Sequence, residues 1–294
     1  MLFAPDLPLK EVCLLTDDEK SLYRTINDNY KPKSSSLISN IYHYSITNPS
    51  KMAIITEDGD CHTYNELWCL VLERVGVFNQ LGVKYGDSIV LALPRGIEFI
   101  VNLLAANYLG ATYVPIQENI PSVRLYALLK KVNANMLVSD RKLDLAPELS
   151  INVYTPSDLC SINPEQVSLK KIGIEKENYI AYVLFTSGST GEPKGVLINS
   201  AARENFLEGC CNTVSLNRES TVIAATAPTF DISVLELLGP LYVGGSCVIA
   251  NEITKRQGHL LAALIAKYNV THVQGTPTTW KLLLQAGWTP PNKI

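Results

Sequence analysis

Tyr179-Ile-Ala-Tyr-Val-Leu-Phe-Thr-Ser-Gly-Ser-Thr-Gly-Glu-Pro-Lys-Gly-Val196 is the stretch on which the reading of this chain turns. An apolar run at 180–185 feeds a loop of Thr186, Ser187, Gly188, Ser189, Thr190 and Gly191, with Lys194 just beyond it. Glycines and small hydroxyl residues let a backbone curl around an anion, with N–H and O–H groups turned inward. Lys194 adds a mobile positive charge suited to phosphate oxygens. No Gly-Lys-Ser/Thr follows the first glycine at the required spacing, so the loop is not a Walker A element.

Around this stretch, short apolar strands alternate with amphipathic helices. Strands are expected at 52–56, 88–93, 112–116, 135–139, 180–185, 195–198, 221–227, 247–250 and 271–274. Helices are expected at 97–109, 121–132, 201–216, 233–241, 260–268 and 278–286, and one more is capped by Thr63 with Glu66 and stops near Gly82. Asp58-Gly59 reads as a hairpin turn. Such alternation implies an α/β fold, two lobes of mainly parallel sheet covered by helices, with ligands at the carboxyl ends of strands. Residues 143–177 look like a connection between the lobes. The expected division is a linker at 1–36, which ends in Lys31-Pro-Lys-Ser-Ser-Ser36, a first subdomain at 37–178 and a second at 179–294.

Composition narrows the classes. A chain of 294 residues with net charge −3 can bury a real core and has no electrostatic case for nucleic acid. The seven cysteines are scattered without metal-ligand spacing, which fits reduced thiols of a cytoplasmic protein. No signal peptide is expected from the N-terminal residues, and the most apolar segment is broken by Glu98, Asn102 and Asn107, so no membrane span is expected.

Four separated motifs carry a family resemblance. They are His62-Thr-Tyr-Asn-Glu-Leu67; Leu109-Gly-Ala-Thr-Tyr-Val-Pro115 with Pro121 and Arg124; the loop from Thr186 to Gly195; and Phe230-Asp-Ile-Ser-Val-Leu-Glu-Leu-Leu-Gly239. In this order they resemble the amino-acid adenylation domains of nonribosomal peptide synthetases, within the adenylate-forming superfamily. Leu14-Leu-Thr-Asp-Asp-Glu-Lys20 with Asn27-Asp28 is similar to the linker that follows a condensation domain. There are departures: Ser200 stands where the family usually has histidine, and Gln117, Glu118 and Ile120 replace common aspartate, proline and tyrosine.

The resemblance implies attack of a carboxylate on the α-phosphorus of ATP, loss of pyrophosphate, and transfer of the acyl group to the thiol of a peptidyl carrier protein. It implies Mg²⁺ beside ATP, an upstream condensation domain as partner, and an ATP-phosphate site at Thr186, Ser187, Gly188, Ser189, Thr190, Gly191 and Lys194. Charge stabilisation, not a side-chain nucleophile, drives such chemistry, so no catalytic side chain and no metal ligand is assigned. Phe230 opens the implied amino-acid pocket, and Asp231 holds the substrate ammonium. Ser233 and Glu236 are expected to form a capping box that leaves Asp231 free for this contact. Ile232, Leu235 and Gln274 complete the readable pocket, and the set is similar to that of glycine-activating domains. Two bulky aliphatic walls suit the smallest amino acid. The family's later motifs and its small C-terminal domain are absent from the sequence, which is expected to be the front part of the large domain and incomplete alone. The alternatives are an acyl- or aryl-acid-activating CoA ligase relative, or a binding lobe without catalysis.

Overall fold

The computed structural model describes residues 16–28, 36–143, 145, 151–167, 178–186 and 193–290. The chain forms two compact units, Met1–Ser34 and Ser35–Ile294. In the first, the polar segment expected to be a linker contains a helix, α1 (Asp17–Asp28). Thr16 Oγ1 accepts from Glu19 N, and Glu19 Oε2 accepts from Thr16 N at 2.7 Å, a capping box one residue ahead of the helix. The stretch from Lys31 to Ser35 and the linker residues before Thr16 lie outside the described residues.

The second unit opens with α2 (Leu37–Thr47), capped by Ser36, and the hairpin β1 (Met52–Thr56) and β2 (Cys61–Thr63). Its turn uses Gly59 at φ +88°, as Asp58-Gly59 signalled. Then come α3 (Tyr64–Gln80), β3 (Ser88–Ala92), α4 (Ile97–Tyr108), β4 (Thr112–Pro115), α5 (Ser122–Lys131) and β5 (Met136–Ser139). The Thr63–Glu66 capping box of α3 is present in full, and Gly82 takes φ +80° beyond its end. The expected connection holds a strand and a short helix, β6 (Asn152–Tyr154) and α6 (Pro156–Cys160). The chain continues through β7 (Ile180–Thr186), β8 (Lys194–Asn199), α7 (Ser200–Thr213), β9 (Thr221–Ala224), α8 (Ile232–Val243) and β10 (Ser246–Ile249). It closes with α9 (Gly258–Lys267), β11 (His272–Val273) and α10 (Pro277–Gln285).

Two sheets result, ordered β6-β5-β3-β4-β7-β8 and β11-β9-β10-β1-β2. All pairings are parallel except those of the edge strands β8 and β2. β7 and β8 join the sheet of β3, β4 and β5, while β1 and β2 pair with the late strand β10, so the strands sort by sheet and not by chain position.

Period-two alternation explains the layers. In β3, Ile89 and Leu91 face the main core, while Val90 and Ala92 face a second cluster roofed by Leu125, Leu128 and Leu129 of α5. In the other sheet, Val222 and Cys247 face the main core, while Ile223 and Val248 face a third cluster closed by Leu261 and Ile265 of α9 and Leu283 of α10. The main core between the sheets is filled by α2, α3, α4 and α8, with Leu37, Ile41, Tyr64, Phe78, Phe99 and Leu241 at or near zero exposure. The polar residues that broke the most apolar segment are paired: Arg74 donates to Asn102 Oδ1 at 2.7 Å and to Glu98 Oε2 at 3.2 Å, and Asn107 Nδ2 donates to Ala181 O at 2.9 Å. Among the described residues no helix is long and apolar enough to cross a membrane.

The packing of α9 on α10 is tight at Gly258. A Cβ there would stand 2.1 Å from the backbone oxygen of Leu282, a group that cannot swing aside. Gly258→Ala is expected to destabilise the unit by about 3 kcal/mol, read as a fall in the urea midpoint at unchanged slope. An unchanged midpoint would show that the two helices separate at no cost.

Candidate functional site

The carboxyl end of β7 is where the sequence places an anion loop. Thr186 is exposed there and lies opposite Lys194 across the antiparallel hairpin, and its Oγ1 donates to Lys194 O at 3.4 Å. Lys194 is exposed, so its ammonium is available to a ligand. From α5, Lys131 Nζ donates to Pro193 O at 2.7 Å and ties the returning arm of the hairpin to the rest of the sheet. Ser187, Gly188, Ser189, Thr190 and Gly191, the remaining expected phosphate contacts, lie outside the described residues.

Beside this hairpin lies a cleft of about 600 Å³ whose walls include Thr186, Tyr182, Ile116, Arg124, Phe230 and Asp231. The structure therefore brings Thr186 and Asp231, 45 residues apart in the chain, to one cavity. Burial and the negative charge of Asp231 both push the Tyr182 hydroxyl above its ordinary pKa, so it stays a neutral hydrogen-bonding group. Phe230 is 60% exposed and also borders a second cavity of about 830 Å³.

The other expected pocket residues are placed differently. Ile232, Leu235 and Gln274 are half-buried and are not among the residues lining either cavity. Leu235 packs against the main core, and Gln274 Oε1 is buried with no hydrogen-bond partner among the described residues. Ser200 begins α7, whose cap is Asn199, accepting from Ala202 N at 2.7 Å.

The expected Ser233–Glu236 capping box does not form. α8 begins at Ile232, so the cap position falls on Asp231, whose Oδ1 accepts from Ile232 N at 2.8 Å. Ser233 Oγ turns back to the carbonyls of Phe230 at 2.6 Å and Pro228 at 3.3 Å, and Glu236 reaches the end of β9. Asp231 is thus both a helix cap and a cleft wall. No described residue donates to its Oδ2.

Sequence reasoning did not single out Arg95. It follows β3 and lines the larger cavity, and its Nη2 donates to Ala250 O at 3.0 Å and pairs with Glu252 at 2.9 Å, while its Nη1 has no partner among the described residues. The one available signal was a lone arginine between two apolar runs, directly after a strand.

The sequence model of one family, AMP-binding enzyme, matches residues 44–292. The chain belongs to the AMP-binding enzyme family. Among its relatives in that family, a dimodular nonribosomal peptide synthase of Bacillus subtilis (strain 168) is 27% identical over 92% of this chain and 12% of its own length. Phenyloxazoline synthase MbtB of Mycobacterium sp. (strain MCS) is 30% identical over 93% of this chain and 23% of its own length. The chain thus spans under a quarter of either relative. Among solved structures, a holo four-domain nonribosomal peptide synthetase, AB3403, bound to AMP and glycine is 26% identical, with a TM-score of 0.76 over 88% of this chain and 19% of that one. The nonribosomal peptide synthetase FmoA3, at 22% identity, has a TM-score of 0.78 over 92% of this chain and 29% of that one, a likeness of fold. The chain therefore carries the α/β architecture of an adenylation domain's N-terminal portion, with two sheets and their covering helices, as the sequence motifs implied.

Proposed function

We propose that the protein containing this chain activates an amino acid as its aminoacyl-adenylate, at the expense of ATP, for loading onto a carrier-protein thiol in nonribosomal peptide synthesis. The observation that carries this reading is the single cleft shared by the phosphate hairpin and an exposed aspartate. The hairpin suits a nucleotide phosphate: Thr186 supplies a hydroxyl, Lys194 a positive charge, and Ser187 to Gly191 the small residues of a cradle. Asp231 supplies the counter-charge for an ammonium group next to the attacking carboxylate. The substrate carboxylate oxygen bonds to the α-phosphorus as the bridging oxygen leaves with pyrophosphate. The thiol later displaces AMP from the acyl carbon. Among the described residues no group of three or more histidine, cysteine, aspartate or glutamate side chains could hold a metal. Mg²⁺ is proposed to enter with ATP, held by the phosphates themselves.

Glycine is the proposed substrate. The reading is supported by the likeness of Asp231, Ile232, Leu235 and Gln274 to the set of glycine-activating domains, and by the 26%-identical synthetase that is bound to AMP and glycine. ATP–pyrophosphate exchange by the complete adenylation domain across the amino acids tests both levels. Glycine is expected to give the fastest exchange, with alanine second. A preference for a branched or aromatic amino acid would remove glycine, and exchange supported only by acids lacking an ammonium group would remove the amino-acid reading.

A further inference from the structure

Glu236 is fully buried on α8 and is not among the residues lining either cavity. Three donors face it, all from one short segment. Ala225 N donates to Oε2 at 2.9 Å, Thr226 N to the same oxygen at 2.8 Å, and Thr226 Oγ1 to Oε1 at 2.6 Å. The two carboxyl oxygens together accept all three; a glutamine could keep the two amide bonds through its Oε1 and donate its –NH₂ to Thr226 Oγ1, whereas a leucine of similar size accepts none. Burial raises the Glu236 carboxyl pKa, against the opposing effect of these bonds and of Arg95.

The arrangement has a consequence beyond packing. Residues 225–231 leave β9 and end in Asp231. Glu236 holds the first two residues of this segment, Ser233 Oγ holds the carbonyls of Pro228 and Phe230, and Phe230 N donates to Ala227 O at 3.0 Å. Both ends of the segment are therefore clamped to the same two turns of α8. The clamp fixes Asp231 against the carboxyl end of the sheet. It also explains why β9 ends at Ala224 and not at the expected residue 227: the next two amides are directed to Glu236 instead of to a neighbouring strand.

We infer that Glu236 is a positioning residue for amino-acid recognition, locking the 225–231 turn onto α8 so that Asp231 meets the substrate ammonium. This rests on the proposed role of Asp231. The test uses the complete adenylation domain and ATP–pyrophosphate exchange with the amino acid the wild type activates best. Glu236→Leu, which removes all three acceptor contacts at similar volume, is expected to raise the KM for the amino acid at least about tenfold while the KM for ATP stays within about twofold. Thr226→Val, which removes one of the three donors, is expected to raise the amino-acid KM by about threefold, and the double variant to be no worse than Glu236→Leu. Glu236→Asp keeps an acceptor-only group and is expected to recover part of the loss. A fall in melting temperature with both KM values unchanged would overturn the inference, because a purely structural role predicts that outcome. Should Glu236→Leu not fold, an unchanged amino-acid KM in Thr226→Val overturns it equally. A wild type without amino-acid-dependent exchange would instead overturn the functional reading on which it rests.

Discussion

Asp231→Ala in the complete adenylation domain is expected to lower kcat/KM for the amino acid by at least about a hundredfold, the effect of removing one partner of a desolvated charge pair, about 3 kcal/mol. Beyond its proposed contact with the ammonium, Asp231 caps α8, its Oδ1 accepting from Ile232 N. Alanine loses both, at about 1 kcal/mol of stability for the cap. Asp231→Asn separates them. Asparagine is as good a cap as aspartate but brings no charge to the cleft, so the domain should keep its melting temperature and still lose exchange. If Asp231→Asn instead supports wild-type exchange at unchanged KM, the carboxylate does not hold the ammonium and the assignment falls.

Arg203→Met is expected to destabilise the larger unit by about 3–5 kcal/mol, the scale for breaking a buried ion pair and stranding its partner. The Arg203 side chain is 1% exposed and lies between α7, α4 and the start of β7. It donates to Asn107 Oδ1, to Glu204 Oε1 at 2.7 Å and to the Tyr179 hydroxyl at 3.4 Å. Glu204 Oε1 also accepts from Leu37 N at the start of α2, so one buried network joins four elements. Without the guanidinium, Asn107 loses a donor and Glu204 keeps a charge without its cation. The urea midpoint gives the size of the loss. The double variant Arg203→Met with Glu204→Gln should be more stable than Arg203→Met alone, because the stranded charge is then gone while the acceptor for Leu37 N remains. A double variant less stable than the single one would mean that the stranded charge is not what makes the loss large.

Much of the local structure was legible. The Thr63–Glu66 capping box, the Asp58-Gly59 turn and the stop near Gly82 each follow from residue types whose preferred backbone is itself the signal. The strand–helix alternation, and with it the parallel sheets, followed from runs of apolar residues too short for helices and too continuous for an exposed face. Less was visible where polar residues dominate. α1 and α2 precede the first apolar strand, and their caps, Thr16 with Glu19 and Ser36, were not distinguished from linker residues of the same types.

The candidate site divides in the same way. Thr186, Lys194 and Asp231 could be nominated from the sequence because the chemistry proposed for them is written in consecutive residues. Glu236 was misread because serine and glutamate three residues apart form a capping box only if the helix begins just after the serine. α8 begins at Ile232, and that start is set by the turn at Ala227–Phe230 and not by the spacing.

By itself the sequence determined most of the strands and helices beyond residue 51 and the hydroxyl- and glycine-rich stretch at the end of one strand. Only the tertiary structure decided which strands share a sheet, that Thr186 and Asp231 face one cleft, and that Glu236 and Arg203 are buried and paired. The physical reason is that periodicity reports which face of an element is apolar but not which distant face will cover it. Ile54 pairs with Cys247 because burying both sheets against α2, α3, α4 and α8 leaves that edge adjacent, a choice made by the whole core at once.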